Sequence, residues 1–495
     1  MEAKGKNRRK ESLKKRRREE LFNKRREELL KECKVAPEVF EEVLPRLEAF
    51  MAPFVEVFRR SEPPQHAITY VRGLLSNLKY KNVESIAYRF GQERMPLQRF
   101  IGWADWDDAP LRMELARQVG ETLGEEDGVL VFDPSAFPKW GTESVGVARQ
   151  WCGRLGKTDN CQVAIYLGYV SRQEHALVDT RLYLPEKWIN DPGRLEKAGV
   201  PKDRWCHRTR HRLALEMLNE KGPLLPHSWI AGDDEMGRPY WFRRRLAILH
   251  ERYLLAVPCN TLIRDLDSEP PSYNGRGRPP KRPWQRVDRW TEALEDDDWT
   301  EVDVRDGAKG PLLVLITKRR VVAKTPQRQE GHEEVLVVIR WRDREQEKVT
   351  KVEYYLSNAA PEVELAEFAR VAKAEHRIEE CIRRSKSDAG LAKYQVRNWT
   401  GWYHHQTLSL IATWFLVTET RRGKKMDPGH HGPADPRRHC VDPLQCMPSR
   451  HHALARPRTR KASRTQRTRT LLLLEKTQPT SSSELRETAD VRQSN

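Results

Sequence analysis

The chain has 495 residues, 90 Lys plus Arg against 72 Asp plus Glu, a net charge of +18, and eight cysteines. That length suggests two to four domains, the charge points to a polyanionic partner, and the scattered cysteines show no disulfide framework and read as reduced thiols. The basic start lacks an apolar signal segment and no apolar run approaches a membrane span, which excludes secreted and membrane-embedded classes and makes the cytoplasm the expected location.

Residues 1–37 read as a basic helical arm, with 14 Lys/Arg against 6 Glu in the first 31 positions. Residues 38–125 carry apolar side chains at helical spacing. Val39, Phe40, Val43, Leu44 and Leu47 form one stripe; Ile68, Val71, Leu74 and Leu75 form another. This predicts an all-α domain of four or five helices. The texture changes at 128. Strands are expected at 128–133, 161–170 and about 176–184, then a helix at about 207–221, a strand at 228–233, a helix at about 238–251 and a strand at 253–258. That element order is the order of a ribonuclease-H-like α/β core with a mixed sheet, in which the first strand is central and the fourth lies beside it. The core is assigned to 126–265 and 357–421, the latter with helices at about 362–388 and 399–419. Between them, 266–356 reads as a loop followed by a β-rich insertion. Residues 422–495 lose all periodicity and form a basic, low-order tail. Its abrupt onset favours translation in a shifted frame over a disordered tail.

Three carboxylates stand out. The apolar run Gly128-Val129-Leu130-Val131-Phe132 delivers Asp133 at the tip of a buried strand, and Ser228-Trp229-Ile230-Ala231-Gly232 delivers Asp233 in the same manner. Glu379 lies inside the helical pattern that ends near Lys386. Two strand-end aspartates and a helical glutamate are the donors that a pair of Mg²⁺ ions needs to cut and rejoin phosphodiesters. Periodicity alone leaves Glu380 as a rival to Glu379, and Asp234 as a rival to Asp233. Arg377 and Lys386 on the same helix are candidate phosphate contacts, and Trp399 and Trp402 are candidate platforms for a nucleobase. Cys440, Cys446, His451 and His452 match no common zinc-finger spacing and are set aside. Gly275-Arg276-Gly277-Arg278 reads as a flexible loop in preference to a minor-groove hook.

The chain resembles bacterial insertion-sequence transposases of the DDE superfamily, most closely the insertion-sequence 701 group. The resembling segments include Val131-Phe132-Asp133 with Phe137-Pro138-Lys139-Trp140-Gly141, Ser144-Val145-Gly146-Val147-Ala148-Arg149-Gln150, Ala231-Gly232-Asp233, Arg377-Ile378-Glu379-Glu380 and Trp399-Thr400-Gly401-Trp402-Tyr403-His404-His405, within about 65–420. The resemblance implies that Asp133, Asp233 and Glu379 are the catalytic acids and the ligands of Mg²⁺, with Mn²⁺ able to substitute. It makes Lys386 the lysine seven positions after the glutamate, and Lys139 a further candidate DNA contact. It implies end binding by the helical domain, cleavage and strand transfer on double-stranded DNA, and a homodimer in the synaptic complex beside the nucleoid. Two positions depart from the pattern: Glu375 stands where an arginine is expected, and Glu235-Met236 follows the second acid. The reading from another class is a catalytically decayed copy that acts only as a DNA-binding protein.

Overall fold

The computed structural model describes residues 42–426 except 57, 59–61, 308–309 and 343–348, so the basic arm, most of the tail and the Cys/His group at 440–452 lie outside the described residues. Five helices come first: α1 (Val43–Val55), α2 (Glu62–Leu74), α3 (Val83–Arg89), α4 (Arg94–Gly102) and α5 (Ala109–Leu123). Of the two expected stripes, Val43 and Leu47 are buried on α1, with Met51 and Phe54 beside them, and Val71, Leu74 and Leu75 are buried at the end of α2, while Leu44 and Ile68 are half-buried and Val39 and Phe40 lie outside the described residues.

The sheet begins with β1 (Val129–Pro138), β2 (Ala148–Cys152), β3 (Lys157–Val170) and β4 (His175–Leu182). After three short helical segments come α6 (Arg210–Lys221), β5 (Trp229–Gly232), α7 (Asp234–Gly237), α8 (Tyr240–Ile248) and β6 (Tyr253–Ala256). Next are β7 (Leu262–Asp265), β8 (Gln285–Arg286), α9 (Val287–Glu292), β9 (Thr300–Gly307), β10 (Gly310–Lys324), β11 (Glu330–Arg342) and β12 (Val349–Ser357). Two long helices, α10 (Leu365–Ser387) and α11 (Trp399–Met426), close the described chain. The sheet is mixed. β1 pairs antiparallel with β3 and parallel with β5, which pairs parallel with β6. The expectation that the 228–233 strand lies beside the first strand therefore matches the pairing.

One expectation about the sheet is corrected. β1 does not end at Asp133 but stays paired with β3 as far as Pro138. Pro134 is tolerated there because β5 has already stopped at Gly232, so a missing N–H on that side costs no ladder bond. The β-rich stretch before 357 joins the same sheet. β12 pairs with β6, β11 with β12 and β10 with β11, giving one twelve-stranded sheet. The exposed edge of β6 supplies unpaired backbone groups, and a β-branched hairpin satisfies them.

α10 crosses the strands that carry the aspartates. Trp229 Nε1 donates to Glu367 Oε1 at 2.7 Å near its start, and Lys386 Nζ lies 2.7 Å from Ser135 Oγ near its end. Between them Ile378 rests on Gly168, where any added Cβ would meet Ile378 at 2.4 Å, so only glycine lets the helix approach β3 this closely. α11 is buried from Gly401 to Phe415 and joins the first helices to the sheet. Its polar side chains find partners on both sides: Tyr166 donates to Gln406 at 2.8 Å, and His405 Nδ1 lies 2.9 Å from the Tyr70 hydroxyl. Among the described residues no helix is long and apolar enough to cross a membrane.

Candidate active site

Phe132 and Gly232 are register partners on the parallel strands β1 and β5. Asp133 and Asp233 follow them, on strands whose axes in a sheet lie about 4.8 Å apart. Asp133 remains in β1, opposite Tyr166 of β3. Asp233 leaves its strand and caps α7, accepting a hydrogen bond from the Met236 amide at 3.0 Å. Gly237 closes that helix so near β6 that a Cβ would meet the Ala256 carbonyl oxygen at 1.9 Å, which fixes the turn after Asp233 against the sheet.

The charges at this edge are poorly compensated. Burial raises the Asp133 carboxyl well above the ordinary carboxylate range, and the negative charges of Asp233 and Glu379 add to it, with Lys386 pulling the other way. Burial pushes Asp233 up to about 7 against the Met236 hydrogen bond, with Glu235 and Asp234 raising it further. Glu375, one helical turn before Glu379, is pushed up to about 8 by burial and then by Asp233. Glu379 differs. Its side chain is 76% exposed, and the ion pair with His376 at 3.9 Å holds it below the usual range. His376 is itself raised to about 9 by its bonds to Glu353 and Glu379.

Carboxylate oxygens are the donors that Mg²⁺ prefers, and Asp133, Asp233 and Glu375, raised first by burial and then by acidic neighbours, have the chemistry a divalent cation would relieve. The side chains themselves stand apart. Among the described residues no group of three or more His, Cys, Asp or Glu is gathered tightly enough to hold an ion.

The other sequence-derived candidates divide. Lys386 belongs to this edge, its ammonium beside Ser135 and 4.9 Å from the centre of the Phe137 ring. Lys139 lies at the far end of β1, 3.5 Å over the Tyr394 ring, and burial lowers it to about 8. Arg377 points elsewhere and donates to the carbonyls of Ser171 and Gln173 at 2.7 and 2.6 Å, so it clamps the β3–β4 turn. Trp402 is fully buried with Nε1 on the Tyr394 hydroxyl, which corrects its reading as a base platform. Trp399 is partly buried and packs on Tyr403 at 4.7 Å. Asp234 and Glu380, the rivals left open by periodicity, sit in surface ion pairs with Arg238 and with Arg383 and Arg384.

Two residues were missed. Glu375 was noted only as a departure, although its spacing of four from Glu379 already places both acids on one helical face. Trp140 passed as part of a motif. It is fully exposed at 106%, on a turn whose flanking carbonyls, of Lys139 and Gly141, both accept from Asn160 Nδ2 at 2.7 and 2.9 Å.

A family model described as DDE superfamily endonuclease matches residues 53–311. A probable transposase for insertion sequence element IS701 from Microchaete diplosiphon is 33% identical over 94 residues, 19% of this chain and 25% of that relative. The matched part thus spans about a quarter of the relative's length. Among solved structures, a piggyBac transposase synaptic complex with hairpin DNA aligns over 86% of each chain at 9% identity, with a TM-score of 0.34.

Proposed function

The chain belongs to the DDE superfamily endonucleases, and from that premise we propose that it is a transposase that cuts DNA at the ends of an insertion sequence and joins them to a target. The observation that carries this reading is the register of β1 and β5, which sets Asp133 beside Asp233 under the helix that bears Glu379. Strands β1 and β3–β6 with α10 and α11 form the ribonuclease-H-like core, the helices before 125 bind the transposon ends, and the strands from 285 to 357 are an insertion that extends the core sheet.

Asp133, Asp233 and Glu379 would hold Mg²⁺ or Mn²⁺, which when bound neutralises charge on phosphorus and activates the attacking oxygen. The chain's own residues do the rest. Asp133 and Asp233 present their oxygens from a half-buried edge, where water competes less well for a cation than at an open surface. Lys386, held between Ser135 and Phe137, offers the positive charge nearest to Asp133 and would steady a DNA phosphate. The excess of Lys and Arg draws the DNA in at long range. Two transposon ends require two copies, so a homodimer forms the synaptic complex.

The test is cleavage of a supercoiled plasmid carrying the element ends, with Mg²⁺ or Mn²⁺, by the wild-type chain and Asp133→Asn. Metal-dependent cuts at the element boundary that vanish in the variant support the reading. Cuts that persist in Asp133→Asn overturn the site. DNA binding without any cuts leaves the decayed, DNA-binding copy in its place.

A further inference from the structure

The connection from β7 to β8 ends in a basic tip. Between Glu269 and Asp288 the chain holds Arg276, Arg278, Lys281, Arg282 and Arg286 and no acid. Three of these cations hold the loop together. Lys281 Nζ lies 2.9 Å from Glu330, Arg282 donates to the Ser268 carbonyl at 2.9 and 3.0 Å, and Arg286 Nε donates to Asp288 at 3.0 Å. The other two, Arg276 and Arg278, are exposed at the tip, and their guanidinium groups have no partner among the described residues. The backbone beneath them is tied. Tyr273 donates to the Gly277 carbonyl at 2.6 Å, and the Arg276 amide donates to Asn274 Oδ1 at 3.2 Å. The stretch that sequence alone reads as a flexible loop is therefore closed by hydrogen bonds, and it presents two uncommitted arginines two positions apart.

The width of the tip selects the surface it fits. A phosphate ridge accepts a cation from any direction, but the minor groove of DNA is about 6 Å wide and admits only a slim element. Gly275 and Gly277, both with positive φ (79° and 77°), leave no side chain on either side of Arg276. Pro279 and Pro280 bring no backbone N–H that needs a partner in the groove. A·T tracts narrow that groove and deepen its negative potential, which draws arginine in, and they lack the guanine amino group on its floor. Position adds direction. β6 runs parallel to β5 and β1, and the four antiparallel pairings from β6 through β12, β11 and β10 to β7 return β7 to that same direction. The loop therefore leaves the sheet at the end where β5 delivers Asp233. It lies six strands along from β1, roughly 29 Å in the plane of the sheet, or about nine base pairs of duplex. We propose that Arg276 and Arg278 enter the minor groove of an A·T-rich stretch of duplex DNA flanking the cut site. The inference rests on the transposase reading and adds a sequence preference to it.

The test uses the full chain and three duplexes of one length, with affinities read by fluorescence anisotropy at one fixed salt concentration. The duplexes are an A·T tract, a G·C tract, and the same G·C tract with inosine for guanine, which keeps the major-groove acceptors and removes the amino group from the minor groove. The wild type is expected to bind the A·T and inosine duplexes about tenfold more tightly than the G·C duplex. Arg276→Ala with Arg278→Ala brings all three affinities within about twofold of one another. Arg276→Lys with Arg278→Lys keeps both charges and holds G·C affinity within about twofold of the wild type, while the more strongly hydrated ammonium groups give up most of the preference. Equal binding of A·T and G·C by the wild type, inosine behaving as guanine, or a preference that survives the double alanine change overturns the inference. Plasmid nicking by the wild type, measured in parallel, separates the two claims. Nicking with no A·T preference removes the groove contact and keeps the transposase; a preference lost in the double alanine variant, without nicking, keeps the groove contact and removes the transposase.

Discussion

Asp179 and Asp133 lie on the two strands that flank β3, β4 and β1, and their surroundings differ in one respect. Asp179 is fully buried, and its Oδ1 accepts from Arg112 at 2.7 Å and from Arg181 and the Thr180 amide at 2.8 Å. Burial pushes its carboxyl up, but Arg181, Arg112 and Lys221 together hold it below the ordinary range. Asp133 faces acids instead, and both burial and neighbours drive it upward. A fully buried acid with cations is a structural strut; a half-buried acid among acids is held ready for a cation from outside. The fold could satisfy either, and the contrast marks where it leaves a group unsatisfied.

The largest effects test this contrast directly. Asp133→Asn removes a carboxylate proposed to hold the metal, so cleavage is expected to fall by about 10³-fold or more, and it removes a repelling charge, so the urea midpoint holds or rises. A variant that loses activity together with stability would show Asp133 to be a strut like Asp179. The converse change, Asp179→Ala, strands Arg112 and Arg181 without a buried partner and should cost about 3–5 kcal/mol, seen as a lower urea midpoint at constant m-value. A loss under about 1 kcal/mol would mean that water already screens the pair.

Burial without a compensating charge also predicts a pH dependence. His405 is fully buried and is pushed down to about 3 from an ordinary 6.5. The folded chain thus binds fewer protons here than the unfolded chain. The contribution is fully present above pH 6.5 and is lost as pH falls from there towards 3. Between pH 6.5 and about 5 the expected loss is about 2 kcal/mol. Urea titrations of wild type and His405→Gln should diverge over that window, because the glutamine cannot take up the proton. Parallel pH profiles would assign the acid sensitivity to other groups.

How far the sequence reaches follows the same division. The runs Val129–Phe132 and Trp229–Gly232 are wholly apolar and short, so their identity as central strands and the position of their terminal acids are legible from the chain. Hidden from it is anything that depends on a partner far along the sequence. Pro134 argues for a strand end until β5 is known to stop beside it. The alternating segments at 299–356 read as a β-rich insertion, and the strand they pair with stays hidden until the open edge of β6 is seen. Trp402 carries the same side chain wherever it lies, and only the packing of α11 removes it from the surface. Arg377 reads as a DNA cation until the carbonyls of the β3–β4 turn are found within its reach.

Glu375 gives an intermediate test. Its carboxyl is raised by Asp233 and Asp133 as well as by burial, so it belongs to the unsatisfied class although the resemblance would place an arginine there. Glu375→Gln should raise the Mg²⁺ concentration needed for half-maximal cleavage by about tenfold, the scale of outer-sphere changes at metal sites, with little change in the rate at saturating metal. A variant that cleaves at wild-type Mg²⁺ demand would return Glu375 to the structural class.

The smallest effect extends the contrast from charge to apolar surface. Trp402 is buried and hydrogen-bonded, whereas Trp140 has its whole ring in solvent. An isolated exposed tryptophan is unremarkable on a surface, but the turn beneath it is not free to move. Asn160 clamps the carbonyls on both sides, and the Lys139 amide donates to the Asn160 carbonyl at 2.9 Å. The ordering cost of that turn is met on folding, so an aromatic contact made by Trp140 in the DNA complex would be gained with little further entropy loss. Trp140→Ala is therefore expected to weaken DNA binding by about 1 kcal/mol, roughly fivefold, with the thermal midpoint unchanged because nothing in the interior touches the ring. Trp140→Phe should recover most of the affinity. Equal binding by all three proteins would show that a rigid, exposed aromatic here carries no contact, and would confine the unsatisfied class to the charged edge of the sheet.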